Sequence, residues 1–293
     1  MKIAFIGAVE ISRKSLTALI HMRSNVVGVC TLKESAANAD HCDLSGICET
    51  HGIPWAYAPE INSDDTIAWL RDKSPDVIFC IGWSRLLGDT LLALAPLGVV
   101  GFHPAALPFN RGRHPIVWAL ALGLPETAAT FLMMDKGADT GDIVSQRIIK
   151  IADEDDAGSL YEKVTQSALE QLHVLVPQLA EGSFVRVPQD KSAGNAWRKR
   201  GKSDGQIDWR MSAHSIHNLV RSLAKPYVGA HFIAQGREIK VWKTETAINS
   251  PDNIEPGKIL EATHRGPLIK CGQGAIRLLK TDPEFKPLAG EYL

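Results

Sequence analysis

Two residues in separate segments of this sequence have the side chains of an acid/base site, His103 and Asp139. His103 follows an apolar run, residues 99 to 102, whose length and lack of polar side chains predict a buried strand. Asp139 lies in residues 135 to 142, where three carboxylates and two glycines follow a second apolar run, residues 128 to 134. A histidine and a carboxylate brought together from two loops can act as general acid and base, so this pair is the first candidate for chemistry.

The elements around this pair predict how it is positioned. A helix-like segment, residues 115 to 122, separates the two apolar runs and makes a strand–helix–strand unit. The two strands of such a unit run parallel in one sheet. We therefore expect His103 and Asp139 at the same carboxyl edge of a parallel sheet, where doubly wound folds hold their ligands.

The residues before the pair predict the rest of that sheet. Buried strands are expected at residues 2–7, 26–31, 53–57 and 76–81, with helices at residues 13–22, 43–51 and 66–73 between them. Apolar strands that alternate with helices indicate an α/β fold with a Rossmann-like parallel sheet covered on both faces. The first turn lacks the GxGxxG pattern, which argues against a nicotinamide dinucleotide site.

The second half of the chain predicts a smaller domain. An edge strand at 143–151 and a helix at 157–181 complete a first, catalytic domain over residues 1–187. A polar stretch, residues 188–206, marks a linker or a wall of the active site. Short strands broken by glycine turns then indicate a small β-rich, OB-like C-terminal domain over residues 207–293.

Composition narrows the class of protein. The chain has 293 residues, 45% hydrophobic and 22% charged, with a net charge of −1, which is typical of a soluble globular protein. This balance argues against wholesale attraction to nucleic acid or to an anionic membrane, and no apolar run is long enough to span a bilayer. The five cysteines have no metal-ligand spacing, so we expect no metal and free thiols in a reducing, cytoplasmic location.

Four motifs carry a resemblance to a known family. They are residues 103–108 (HPAALP), 111–115 (RGRHP), 134–142 (MDKGADTGD) and 204–209 (DGQIDW). With them the chain resembles the 10-formyltetrahydrofolate-dependent formyltransferases, and most closely the sugar N-formyltransferases among them. The resemblance implies transfer of a formyl group from 10-formyltetrahydrofolate, as co-substrate, to the amine of a nucleotide-linked amino sugar.

The resemblance also implies catalytic roles. His103 is expected to polarise or protonate the formyl oxygen, and Asp139 to orient His103 and favour its charged form. The family normally has an asparagine two residues before the histidine, where this chain has Gly101. This departure removes one hydrogen-bond donor to the oxyanion, and Asn110, later in the same loop, is our hypothesis for a substitute.

The same resemblance implies that residues 81–87 and 135–142 form the folate pocket. In the family, backbone groups of these segments bind the pterin edge and apolar side chains cover its faces. The expected pocket residues are Trp83, Ser84, Arg85, Leu86, Leu87, Asp135, Gly137 and Asp142. The expected acceptor-binding residues are Arg113, with Arg198 and Arg200 for the pyrophosphate of the nucleotide, and Glu10 and Ser12 after the first strand.

Other activities of the family remain open. A methionyl-tRNA formyltransferase needs a basic loop after the second strand, whereas residues 33–44 here are acidic or neutral apart from Lys33 and, in part, His41. A hydrolase that releases formate from the folate would use a similar histidine and aspartate. A folate-binding protein whose catalysis weakened with Gly101 is a further alternative. The sequence does not identify the sugar, the nucleotide or the position of the amine. The second domain could provide the contact surface of a homodimer.

Overall fold

The computed structural model describes residues 1–35, 38–190, 192–247 and 251–293. Residues 36 and 37 of the stretch 33–44, and residue 191 of the predicted linker, lie outside the described residues. The chain divides into two units. The first comprises Met1–Pro115, Thr127–Ile149 and Glu162–Trp197, and the second comprises Ile116–Glu126, Lys150–Tyr161 and Arg198–Leu293.

Seven strands form one sheet, in the order β3-β2-β1-β4-β5-β7-β8. They are β1 (Lys2–Ile6), β2 (Asn25–Thr31), β3 (Trp55–Tyr57), β4 (Val77–Cys80), β5 (Val99–His103), β7 (Glu126–Met133) and β8 (Ile143–Lys150). Strands β1 to β5 run parallel, and β8 lies at an edge as predicted. Every residue of β4 is buried, as expected of a strand covered on both faces. The mostly parallel, Rossmann-like sheet predicted from the sequence is therefore confirmed.

Strand β7 departs from the prediction, because it runs antiparallel to β5. Its Thr130 lies opposite His103 and its Met133 lies opposite Val100. A parallel crossover requires the intervening helix to pack back on the sheet. Here that helix, α5 (Pro115–Ala121), belongs to the second unit from Ile116 onward, and its Val117 is part of the second unit's core. The expected βαβ unit was wrong, and Asp139 reaches His103 by a loop that folds back from β7.

Helices lie between most of these strands along the chain. They are α1 (Glu10–His21), α2 (Ser45–His51), α3 (Asp64–Asp72), α4 (Asp89–Leu92), α5 and α6 (Ala157–Glu181). The bounds predicted for α6 are those observed. Two short strands, β6 (Arg111–Gly112) and β9 (Ala196–Trp197), pair in parallel outside the main sheet. Within the part of the chain that is described, no helix is long and apolar enough to cross a membrane.

The second unit is built on an antiparallel sheet of five strands, in the order β10-β11-β14-β13-β12. They are β10 (Ala230–Ala234), β11 (Arg237–Ala247), β12 (Ile259–Thr263), β13 (Gly266–Lys270) and β14 (Ala275–Asp282). Helix α7 (Ala213–Ser222) packs its buried face, which includes Ile216, into the same core as Phe232 and Ile276. The β-rich second domain predicted from the sequence is thus present.

Candidate active site

His103 is the last residue of β5 and is buried, with two acceptors around its ring. Its Nδ1 lies 3.5 Å from Oδ1 of Asp139, and its Nε2 lies 2.8 Å from the main-chain carbonyl of Asn110. Because a carbonyl oxygen can only accept, Nε2 carries a hydrogen and donates it to Asn110. The ring is therefore held between a carbonyl on one side and a carboxylate on the other.

Asp139 is fixed by its own loop and by the loop that follows β5. Its Oδ2 accepts the N–H of Gly112 at 2.9 Å. The 135–142 loop closes at its base where the N–H of Met133 donates to the carbonyl of Asp142 at 2.8 Å. Only glycine fits at Gly141, because a Cβ there would lie 1.7 Å from the carbonyl oxygen of Met133. The loop thus returns tightly on β7 and presents Asp139 to His103.

Two predicted pocket residues shape this loop from within. Oδ1 of Asp135 accepts the hydroxyl of Thr140 at 2.6 Å and the N–H of Gly137 at 3.0 Å. The close approach at Gly137 leaves no room for a side chain, since a Cβ would meet Oγ1 of Thr140 at 2.0 Å. Asp135, Gly137 and Asp142 thus lie in one loop. The contacts of Asp135 and Gly137 help to hold the shape of that loop.

Backbone strain is concentrated beside the pair. Of the six non-glycine residues with positive φ in the described ranges, three lie in these two loops: Asn110 at 64°, His114 at 57° and Asp139 at 58°. Such conformations persist only where surrounding contacts enforce them, and they cluster at functional sites. The strain therefore marks the same loops that the motifs singled out.

The place of the family's asparagine is filled by a methionine. A Cβ built on Gly101 would lie 2.7 Å from Cγ and 3.0 Å from Sδ of Met134. Any side chain at position 101 therefore requires Met134 to shift. The structure brings the main chain of Asn110 to His103, and the role of its side chain as the substitute donor stays a hypothesis.

The segment after β4 presents a buried donor and an exposed apolar side chain. Trp83 packs against the core of the sheet, and its buried Nε1 has no hydrogen-bond partner among the described residues. Leu86 is 63% exposed. Leu87, by contrast, is buried in the core, and Arg85 donates to the carbonyl of Pro59. The side chain of Leu87 thus packs in the core and that of Arg85 lies against Pro59, and the part of both residues in a folate pocket stays a prediction.

Arg113 links the loop after β5 to the segment after β4. Its Nη1 donates to the carbonyl of Ser84 at 2.5 Å, and the hydroxyl of Ser84 donates to Oδ1 of Asn38 at 3.2 Å. The side chain of Arg113 is otherwise exposed. The predicted acceptor residue and the predicted pocket residue are therefore neighbours.

Ser12 differs from its expected role at the acceptor. It is fully buried, its hydroxyl donates to the carbonyl of Ile81 at 2.6 Å, and it accepts the N–H of Val9 at 3.2 Å. Ser12 thus ties the end of β4 to the start of α1, and the prediction that it faces the acceptor was wrong. Glu10 pairs with Arg13 at 2.5 Å, and the hydrogen bond from Arg13 holds the pKa of the Glu10 carboxyl below its usual range.

Arg198 and Arg200 are engaged within the second unit. Arg198 forms a two-pronged ion pair with Asp204, which holds the pKa of that carboxyl well below its usual range. The guanidinium of Arg200 lies 4.5 Å from the ring centre of Trp118, and burial lowers its pKa. These contacts place both arginines beside Asp204, with the Arg198 side chain 62% exposed, and their binding of a pyrophosphate stays a prediction.

No metal-ligating cluster occurs among the described residues. All five cysteines are free thiols. Burial raises the pKa of four of these thiols to about 12: Cys30, Cys48, Cys80 and Cys271.

Comparison with known proteins identifies the family. A family model described as formyl transferase matches residues 1–176, and one described as formyl transferase, C-terminal domain, matches residues 199–291. The chain therefore belongs to the formyl transferase family, a family of enzymes that transfer formyl groups. The resemblance inferred from the motifs is confirmed.

Three relatives illustrate the match. A methionyl-tRNA formyltransferase of Geobacter metallireducens is 30% identical over 282 residues, 95% of this chain and 89% of that protein. The crystal structure of a sugar 3N-formyltransferase with dTDP and 5-N-formyl-THF superposes with a TM-score of 0.71 at 17% identity, over 96% of this chain and 97% of that one. An N-formyltransferase of Helicobacter canadensis, in complex with folinic acid and dTDP-3-aminofucose, gives a TM-score of 0.70 at 17% identity, over 96% and 99% of the two chains.

Proposed function

We propose that this enzyme transfers the formyl group of 10-formyltetrahydrofolate to the amine of a nucleotide-linked amino sugar. The observation that supports this chemistry is the buried His103, whose Nδ1 lies 3.5 Å from Oδ1 of Asp139. Asp139 is held there by a tight loop in which position 141 has room only for glycine. Solved relatives of the same fold are described as sugar N-formyltransferases, with dTDP or a dTDP-amino sugar present.

The residues after β4 fit a folate. A buried N–H without a partner, as at Trp83, is costly unless a ligand supplies an acceptor. The exposed Leu86 offers apolar area for one face of a planar ring. With the 135–142 loop, these residues would hold the pterin, and the bound folate supplies the formyl group.

The roles of His103 and Asp139 follow from the charge that develops. As the unprotonated amine attacks the formyl carbon, negative charge gathers on the formyl oxygen, and the hydrogen on Nε2 of His103 stabilises it. Asp139 accepts the proton that the amine loses, and this proton is passed to N10 of the folate as the C–N10 bond breaks, so that the carboxylate is restored. By holding both reactants together, the site turns a bimolecular encounter into a positioned one.

Arg113 is the residue that we assign to the acceptor's phosphates. A guanidinium has five N–H donors, and the bond to Ser84 uses only one nitrogen of Arg113. The exposed fork can therefore bind phosphate oxygens bidentately.

The five free thiols accord with a reducing, cytoplasmic setting, which we include in the proposal.

Methionyl-tRNA is the second candidate acceptor, favoured by the 30% identity over 95% of the chain to a methionyl-tRNA formyltransferase. The test is a transfer assay with 10-formyltetrahydrofolate against UDP-, dTDP-, GDP- and CMP-linked amino sugars, with initiator methionyl-tRNA alongside. Turnover on a sugar nucleotide and none on tRNA is expected. Turnover on tRNA alone would overturn the sugar proposal, and formate release without any acceptor would indicate a hydrolase. Folate binding with no turnover at all would indicate a protein that lost its catalysis.

A further inference from the structure

The stretch from residue 187 to 197, predicted mostly as linker, is bonded to both catalytic loops. Val187 exchanges two main-chain hydrogen bonds of 2.8 Å with Ile143, directly after the Asp139 loop. Oδ1 of Asn195 accepts the N–H of Asn110 at 2.8 Å. Further along, β9 pairs with β6 in the loop after β5. We call residues 187–190 and 192–197, the described part of this stretch, the strap.

Gln189 is the one buried residue among the described residues of the strap. Its side chain is buried although the residues on either side of it, 185 to 188 and 190, are exposed. Its Nε2 donates to the carbonyl of Asp139 at 2.9 Å and to that of Gly141 at 2.7 Å. Its Oε1 accepts from Nη2 of Arg111 at 2.8 Å and from Nε at 3.2 Å. Both N–H groups and both lone pairs of the amide are therefore used.

These bonds complete a closed circuit around the catalytic pair. Arg111 stands between Asn110, whose carbonyl accepts from His103, and Gly112, whose N–H donates to Asp139. Gln189 joins Arg111 to the backbone of Asp139. A satisfied, part-buried network of this kind favours one conformation, because each broken bond leaves a polar group that is shielded from water.

We infer that Gln189 is a positioning residue: it clamps the strained backbone of Asp139 and thereby sets the distance between that carboxylate and His103. The kinetic test of this inference rests on the proposed function, whereas the spectroscopic test needs no substrate and does not. The amide of Gln189 is fully used by Arg111, Asp139 and Gly141, so Gln189 acts through Asp139. Its loss therefore lowers kcat, while the folate and the acceptor keep their own contacts.

The kinetic test compares Gln189→Ala with Gln189→Glu and with a control, Gln166→Ala. Gln189→Glu keeps the size of the side chain and an acceptor for Arg111, but turns a carboxylate oxygen toward two carbonyls. Both Gln189 variants are expected to lose about 10- to 100-fold in kcat, with KM values within about threefold of wild type. Gln166 is exposed on α6, where its amide bonds Glu170, and its variant should keep wild-type kcat.

A double-mutant cycle separates positioning from general support of the fold. If Gln189 acts through Asp139, then Gln189→Ala added to Asp139→Ala lowers kcat by less than about twofold further. A merely structural role would multiply the two losses. Multiplied losses, or a kcat of Gln189→Ala within twofold of wild type, would overturn the inference.

A substrate-free readout keeps the inference testable if no sugar is formylated. In the wild-type protein, the ring N–H that His103 donates to Asn110 should give an NMR signal that exchanges slowly with water. Gln189→Glu should lose that signal while its far-UV circular dichroism stays that of the wild type. A signal unchanged in Gln189→Glu, or absent from the wild type, would contradict the circuit. Failure of the transfer assay alone would refute only the proposed acceptor.

Discussion

Nε2 of His103 donates to the main-chain carbonyl of Asn110 at 2.8 Å, while Nδ1 of the same ring faces Asp139. The unliganded site therefore already commits the hydrogen that a formyl oxygen would need. A substrate oxygen must take the place of the Asn110 carbonyl to receive it. Under the proposed mechanism, the loop that carries Asn110 therefore moves or exchanges this hydrogen bond when the formyl group binds.

Asn110→Gly tests whether the side-chain amide of Asn110 replaces the missing oxyanion donor. Glycine tolerates the φ of 64° and keeps the carbonyl that bonds His103, so this change removes the amide with little strain. If the amide is the donor, kcat should fall by about 100-fold, the usual loss for one oxyanion contact. A wild-type kcat in Asn110→Gly would exclude the side chain.

Gly101→Asn, which restores the family's residue, should destabilise this protein. The new Cβ would lie 2.7 Å from Cγ of Met134, and overpacking of this kind costs about 1–3 kcal/mol. Urea unfolding should show that loss in Gly101→Asn and relief of it in the double variant with Met134→Ala. Equal destabilisation in both backgrounds would mean that Met134 is not the obstacle.

Trp83→Phe removes the unpartnered indole N–H and keeps an aromatic ring. Binding of 5-formyltetrahydrofolate, measured by calorimetry, should weaken about tenfold, the worth of one hydrogen bond. The free protein should be no less stable, because the N–H has no partner to lose among the described residues. Trp69→Phe, on the same core cluster, is the matched control and should leave binding unchanged. Wild-type affinity in Trp83→Phe would remove this donor from the pocket.

His217 should make the second unit sensitive to acid. Burial, with Arg221 and His214 nearby and Asp153 opposing, lowers its pKa from about 6.5, while its Nδ1 lies 2.9 Å from Oγ1 of Thr244. The unfolded chain binds the proton more readily, so this contribution to stability is complete above about pH 6.5 and is lost as the pH falls through the folded pKa. Urea unfolding at pH 7.5 and 5.5 should show a smaller loss in His217→Gln than in wild type. Equal losses would assign the acid sensitivity to other groups.

The sequence predicted the elements better than their relationships. The bounds of α6 and the apolar strands could be predicted from local sequence patterns, and the motifs singled out His103 and Asp139. The antiparallel direction of β7 depends on where α5 packs, which no local pattern records.

The hydrogen-bond partners of individual side chains could not be predicted from the sequence either. Ser12 has the residue type of a ligand-binding group, but the close approach of Gly7 and Gly82 encloses it. Gln189 is a single amide in a polar stretch, and its role arises from contacts with residues about 50 and 78 positions away in the chain. Its burial among exposed neighbours is visible only in three dimensions.

The most direct test of the account is single-turnover formyl transfer by His103→Ala and Asp139→Ala, each at saturating folate and acceptor. His173→Ala is the control, because that histidine is exposed on α6 and bonds only its own helix in the contacts described. Each of the two variants is expected to lose at least about 100-fold in rate, the scale of acid/base catalysis, while His173→Ala keeps the wild-type rate. A rate within a few-fold of wild type in either His103→Ala or Asp139→Ala would contradict the account.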